Sequence, residues 1–210
     1  HGGDDWAQRT APNRPFFKPV SLDPKLARAM VNLACPEGGS LLDPFCGTGG
    51  LIVEGILCGF DWSGSDLAWP MVTGTRENAA WAQERGGDGS FEIRNGSAVE
   101  LSNIWDGPFD GFAFDPPYGR NAWKSADGFE LLCGALASCS SVASDSANLV
   151  TLIPWSPSEI DQPIDAGLSF SHTWDEISQT FAESGWTIVS TTPIRVHRSL
   201  ARMLIHAVKK

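Results

Sequence analysis

Positive charge is what this chain has least of. Fifteen Lys and Arg face twenty-five Asp and Glu, a formal net charge of −10 over 210 residues. Such a chain as a whole repels a polyanion. A nucleic-acid ligand would therefore need a local basic surface or a partner that supplies one, unless the acidity reflects an environment rather than a ligand. No apolar run approaches the length of a membrane-spanning helix. No charged-then-apolar segment opens the residues, so a secretory leader is not expected. The five cysteines are odd in number and contain no C-x-x-C pair. They read as reduced thiols of a cytosolic protein, without a disulfide framework or a paired metal signature. Internal repeats and low-complexity tracts are also lacking, and 210 residues suffice for one substantial core.

Two motifs are present. In the first, Ser40-Leu41-Leu42-Asp43-Pro44-Phe45 reads as a short buried strand, and Cys46-Gly47-Thr48-Gly49-Gly50 leads into an apolar helix from Leu51. A strand, a glycine loop and a helix N-terminus allow backbone to approach a nucleotide-like ligand closely. Asp66 follows a second short strand about twenty residues beyond the first glycine, where an acid would accept ribose hydroxyls. The loop is not Gly-x-Gly-x-x-Gly, because its third glycine position falls on Ile52. A dinucleotide is therefore disfavoured.

In the second motif, Asp115-Pro116-Pro117-Tyr118-Gly119 closes the apolar strand Phe112-Ala113-Phe114 with an acid, two rigid prolines and an aromatic. This set suits a nucleobase with an exocyclic amine. The amine's lone pair is spread into the ring, so methylating it needs alignment with an activated methyl group and acceptors for its protons. Asp115 and the Pro116 carbonyl are two such acceptors, and proline offers no competing N–H. Tyr118 would stack on the base. Guanine presents N1–H and N2–H₂ as adjacent donors, which suits an acceptor-only carboxylate; adenine and cytosine set a ring acceptor beside the amine.

Alternating periodicities predict one α/β domain. Helices are expected at Pro24–Leu33 (capped by Asp23), Leu51–Cys58, Pro70–Glu84, Phe129–Ala143 and Trp174–Ser184. Strands are expected at Leu41–Phe45, Trp62–Ser65, Phe91–Arg94, Gly111–Phe114 and Asn148–Pro154. Thr187–Val196 and Ala201–Val208 should form an antiparallel hairpin. Right-handed crossovers then bring the ends of strands one and four together at a switch point.

These motifs resemble the S-adenosylmethionine-dependent methyltransferases. Asp43 through Gly50 is similar to the first cofactor motif, Asp66 to the ribose-binding acid, and Asp115 to Tyr118 to the catalytic motif of amino-methyltransferases. Arg14-Pro15-Phe16-Phe17-Lys18-Pro19, the helix from Pro24 and Val196-His197-Arg198-Ser199-Leu200-Ala201-Arg202 are similar to tRNA guanine-N2 methyltransferases that modify position 10. The resemblance implies a Rossmann-like seven-stranded sheet with the last strand antiparallel and helices on both faces. It divides the chain into a lead at 1–13 and one methyltransferase domain at 14–210. It implies a cytoplasmic tRNA-modifying enzyme with catalytic residues Asp115, Pro116, Pro117 and Tyr118. The cofactor, S-adenosylmethionine, would be bound by Phe17, Asp43, Phe45, Cys46, Gly47, Thr48, Gly49, Asp66, Leu67, Ser97, Ala98 and Asp115. Where many members carry an acid for the adenine amine, Ser97 stands here. Relatives also carry an N-terminal RNA-binding domain of the THUMP type; here such a domain or a small activator subunit would come from outside these residues. The alternatives are a nucleic-acid adenine-N6 methyltransferase, disfavoured by Asp115, and a non-catalytic cofactor-binding subunit.

Individual side chains have competing roles. Phe16 and Phe17 either cover the cofactor or anchor the N-terminus. Cys46 reads as a packing residue, since amine methylation needs no covalent adduct. Trp81, Trp105 and Trp186 read as core. Trp123 and Trp155 lie at the expected ligand edge and are candidates for stacking, and Asn32 for a bond toward the site. Candidate local cations are Arg14, Lys18, Lys25, Arg28, Arg120, Lys124, Arg195, His197, Arg198 and Arg202.

Overall fold

A computed structural model describes residues 6–19, 21–35, 37–117, 126–169, 171–197 and 200–210. Five helices (α1 Pro24–Ala34, α2 Gly50–Ile56, α3 Trp69–Glu84, α4 Ala126–Ser141, α5 Trp174–Glu183) alternate with strands β1 Ser40–Asp43, β2 Asp61–Asp66, β3 Phe91–Asn95, β4 Phe109–Phe114, β5 Ala143–Trp155, β8 Trp186–His197 and β9 Leu200–Lys209. The short pair β6 Leu168–Ser169 and β7 His172–Thr173 forms a separate two-stranded ribbon that sequence periodicity did not reveal.

The seven main strands are ordered β3-β2-β1-β4-β5-β9-β8. β1 to β5 run parallel, and β9 inserts antiparallel between β5 and β8. The expected seven-stranded sheet with its last strand antiparallel is thus present. Two boundaries differ from expectation by more than two residues. β5 starts at Ala143 rather than Asn148, because Ala143 pairs with Phe109 before a bulge shifts the register to Gly111↔Asn148. α4 starts at Ala126, ahead of the apolar run that marked it.

Strand alternation sends neighbouring residues into two cores. Ala113, Val150, Leu152 and Leu204 face α1, α2 and α3, while Phe112, Phe114, Leu149, Ile153 and Ile205 face α4 and α5. Each buried strand residue thereby removes its apolar surface from water on one side or the other.

The N-terminal segment straps across the first face. Asp23 caps α1 by accepting from Lys25 N and Leu26 N, with Pro24 at the first helical position. Glu54, the single charge in the apolar α2, is fully buried and pairs with Arg9 and Arg28, each at 2.9 Å. A buried carboxylate needs such partners. Phe16 lies against α3 where only glycine fits, since a Cβ on Gly74 would come within 2.1 Å of its ring.

Candidate functional site

The crevice opens where β1, β2 and β4 end. Gly47 (φ 52°) and Gly49 (φ 74°) take left-handed conformations that turn the chain from β1 into α2. At Gly49 a Cβ would meet the Thr75 methyl at 2.9 Å. The loop is held from α3: Thr75 Oγ1 donates to the Gly47 carbonyl at 2.8 Å, and Asn78 Nδ2 donates to the Thr48 carbonyl at 2.8 Å. Asn78 also grips the strap, accepting from Phe16 N at 2.9 Å and donating to Phe16 O at 2.8 Å. Sequence reasoning missed both α3 residues. Their signal was a polar pair at i, i+3 on the face that carries Val72, Ala79 and Ala82, all fully buried.

Asp66 ends β2 with its carboxylate on the loop, accepting from Gly47 N at 3.1 Å and Ala68 N at 2.9 Å. Asn95 holds the turn after Asp66 by donating to the carbonyls of Asp66 and Leu67, both at 2.9 Å. Leu67 is 73% exposed beside it. Ser97 Oγ accepts from Val99 N at 3.4 Å, and Ala98 is buried.

Asp115 follows β4 directly, so sheet geometry places it next to Asp43 at the end of the adjacent β1. Asp43, Phe45, Cys46, Gly47, Thr48, Ser21 and Asp115 line one crevice of about 80 Å³ that opens to solvent. Burial pushes the Asp115 carboxyl up to about 6, against the opposing pull of the Arg202 guanidinium. Burial likewise holds Asp43 well above the ordinary carboxylate range. The Phe45 N–H that it accepts opposes this, and the charges of Asp66 and Asp115 add to it. Cys46 is raised too, by burial and then by Asp43, so its sulfur is a thiol. This removes a nucleophile and supports the packing role. All five cysteines are free.

The predicted residues divide clearly. The crevice gathers Asp43, Phe45, Cys46, Gly47, Thr48 and Asp115, with Asp66 bonded to the loop and Gly49 at the start of α2. Pro116 is buried and Pro117 exposed beside them. Phe16 anchors the strap, whereas Phe17 stays 45% exposed. Trp155 is buried against Gly167 and is core, not a stacking surface. Trp81, Trp105 and Trp186 are core as expected. Asn32 faces away, accepting from Cys58 Sγ at 3.9 Å. Among the expected cations Arg14 is buried with its Nε donating to the Arg9 carbonyl at 2.9 Å, Arg28 pairs with Glu54, and Arg195 faces Asp161 at 3.8 Å. Lys18 and Lys25 are exposed. Tyr118, Arg120, Trp123, Lys124, Arg198 and the His197 side chain lie outside the described residues. Among the described residues no helix is long and apolar enough to cross a membrane.

The donor set suits an adenosyl ligand: left-handed glycines carry the loop from β1 into α2, and the Asp66 carboxylate stands at the end of the next strand. A family model described as UPF0020, RMKL-like methyltransferase domain, matches residues 12–157. The chain is 44% identical over 120 residues to a tRNA (guanine(10)-N2)-dimethyltransferase of Methanothermobacter thermautotrophicus, covering 57% of this chain and 34% of that protein. It is 37% identical over 141 residues to the protein of that name from Pyrococcus abyssi, covering 67% and 41%. The matched stretches thus span well under half the length of these relatives. The crystal structure of TrmN from Thermus thermophilus superposes with a TM-score of 0.65 at 17% identity, over 90% of this chain and 49% of that one; this likeness speaks to the fold.

Proposed function

The chain belongs to the RMKL-like methyltransferase domain family, and from that premise we propose that it is the catalytic domain of a tRNA guanine-N2 methyltransferase acting at position 10. Residues 14–210 form that domain in this reading. The observation that carries it is Asp115, a carboxyl buried at its Oδ1 and open through its other oxygen to the crevice it shares with the glycine loop. An acceptor left open to a ligand crevice is suited to guanine's adjacent N–H donors.

S-adenosylmethionine, when bound, supplies a methyl group activated by the sulfonium. Asp43, Phe45, Cys46, Gly47, Thr48 and Gly49 would form its cradle, with Asp66 on the ribose and Phe17, Leu67, Ser97 and Ala98 bordering the adenosine. Asp115 and the Pro116 carbonyl hold the N2 protons, directing the nitrogen lone pair at the methyl carbon while Pro117 stiffens the turn. Once N2 is methylated, its surplus proton would pass to Asp115 or water. Tyr118 stacks on the base. Work in the cytoplasm fits this substrate. A THUMP-type domain or an activator subunit would provide the RNA affinity that an acidic catalytic domain lacks. The adenine-N6 alternative is weaker, because a carboxylate at 115 offers no donor to adenine's ring nitrogen.

Mass spectrometry of nucleosides, after incubating the protein with unmodified tRNA and cofactor, should show N2-methylated guanosine and no N6-methyladenosine. Asp115→Asn sets an amide donor against guanine's own donors, so transfer should fall about a hundredfold or more with the fold intact. Near-normal turnover by that variant would remove the carboxylate from the mechanism.

A further inference from the structure

Asp115 has one charged neighbour that no sequence motif joins to it. Arg202 lies on β9, 87 positions later in the chain, with its Nε 3.8 Å from Asp115 Oδ1. The sheet makes this meeting possible. Asp115 shares a face with Ala113, and Arg202 with Leu204; Leu204 pairs across to Leu152 of β5, which lies between β4 and β9. Pro154, the β5 residue paired with Arg202, carries no N–H. The two side chains are only 19% and 29% exposed, and the Asp115 oxygen nearer Arg202 is the buried one without a hydrogen bond. The exposed remainder of the carboxyl opens to the crevice that Asp115 lines.

We propose that Arg202 is a positioning residue for Asp115: across the sheet it keeps the carboxyl ionised and draws one oxygen inward, so that the other meets the acceptor base as a hydrogen-bond acceptor. This rests on the catalytic reading of Asp115. The pair is too long to be a hydrogen bond, so its effect is mainly electrostatic. Among the described residues Arg202 on β9 is the charged group that acts on Asp115; Asp43 on β1, the other acid of the crevice, is itself raised by burial and by the charge of Asp115. Without Arg202 nothing would offset burial, and the carboxyl would spend more time protonated at neutral pH. A protonated carboxyl offers a donor where guanine needs an acceptor.

The sign is definite. The ionised form is the working one and titrates at about 6, so methyl transfer should fall as pH drops through that value. Removing the guanidinium removes the one influence that lowers the titration point, so the acid limb must move upward. Arg202→Met should raise the limb by about one pH unit, the low end for a carboxylate losing a guanidinium neighbour. The rate at about pH 6.5 would fall roughly threefold beyond any change at high pH. Arg202→Lys, which keeps the charge, should restore most of the original profile, which a purely structural role of the guanidinium would not allow. A carboxyl-carbon NMR titration of Asp115, without RNA or cofactor, separates this pairing from the catalytic reading. An Asp115 midpoint unmoved in Arg202→Met overturns the proposal. A midpoint that rises while the acid limb of transfer stays put upholds the pairing and overturns the catalytic role of Asp115. In the unaltered protein the Arg202 Nε resonance should itself shift with a midpoint near that of Asp115, and its failure to do so overturns the proposal even if neither variant folds.

Discussion

Asn78→Ala should loosen the strap and the glycine loop together, because one amide holds both. The side chain is fully buried and makes three hydrogen bonds, to Phe16 N, Phe16 O and Thr48 O, at 2.8–2.9 Å. Each is worth about 0.5–1.5 kcal/mol net, so their loss comes to about 1.5–4.5 kcal/mol. The upper part applies where the backbone groups stay dry, and the lower where water replaces the amide. For a domain of this size that corresponds to a fall in melting temperature of about 3–18 °C. Release of the strap alone caps the loss, since the remaining core can stay folded once Phe16 has left. Hydrogen exchange tells these cases apart. The Phe16 amide donates directly to Asn78, so it should become the first strap amide to exchange whether unfolding is local or global. Calorimetric titration with S-adenosylhomocysteine should show weakened binding as well, because the Thr48 carbonyl no longer fixes the loop. Gly74→Ala should reproduce the strap effect from the other side, since its Cβ would come 2.1 Å from the Phe16 ring. A melting temperature within about 1 °C of the parent, with the Phe16 amide still protected, would refute the clamp.

Asp66→Ala should weaken S-adenosylhomocysteine binding by about 1–3 kcal/mol through loss of charge-assisted bonds; it also frees Gly47 N and Ala68 N. Unchanged affinity in a calorimetric titration would remove the ribose assignment. Residues 1–210 alone should bind tRNA weakly and with strong salt sensitivity, because the net charge is −10 and Arg28, Arg195 and Arg202 already face carboxylates. Supplying an N-terminal RNA-binding domain in cis should tighten binding through effective concentration; tight, salt-resistant binding by these residues alone in an electrophoretic shift would contradict this.

Features encoded over a few neighbouring residues were legible in advance. Asp23 with Pro24 announced the start of α1, and Gly47 and Gly49 announced the loop that leads into α2. The apolar runs at Phe112–Phe114 and Ala201–Val208 announced strands, and Asp66 and Asp115 stood at strand ends as anticipated. Trp155 misled, because a tryptophan at the end of a strand has the same local pattern whether it faces a ligand or packs on a glycine twelve residues later. Arg14 misled similarly: a lone arginine before an apolar segment gives no local sign that it will be buried.

The chain's local chemistry was therefore enough to determine the class of fold, the order of the helices and main-sheet strands and the two motifs of the crevice, because caps, turns and strand alternation depend on residues only a few positions apart. The tertiary structure alone decided which distant groups control those motifs. Asn78 reaches Phe16 across 62 positions, Arg28 reaches Glu54 across 26, and Arg202 faces Asp115 across 87. Each is a polar group drawn out of water on one element, and burial makes it find its partner on another. Periodicity records that a residue turns inward; strand order and register determine what it meets there.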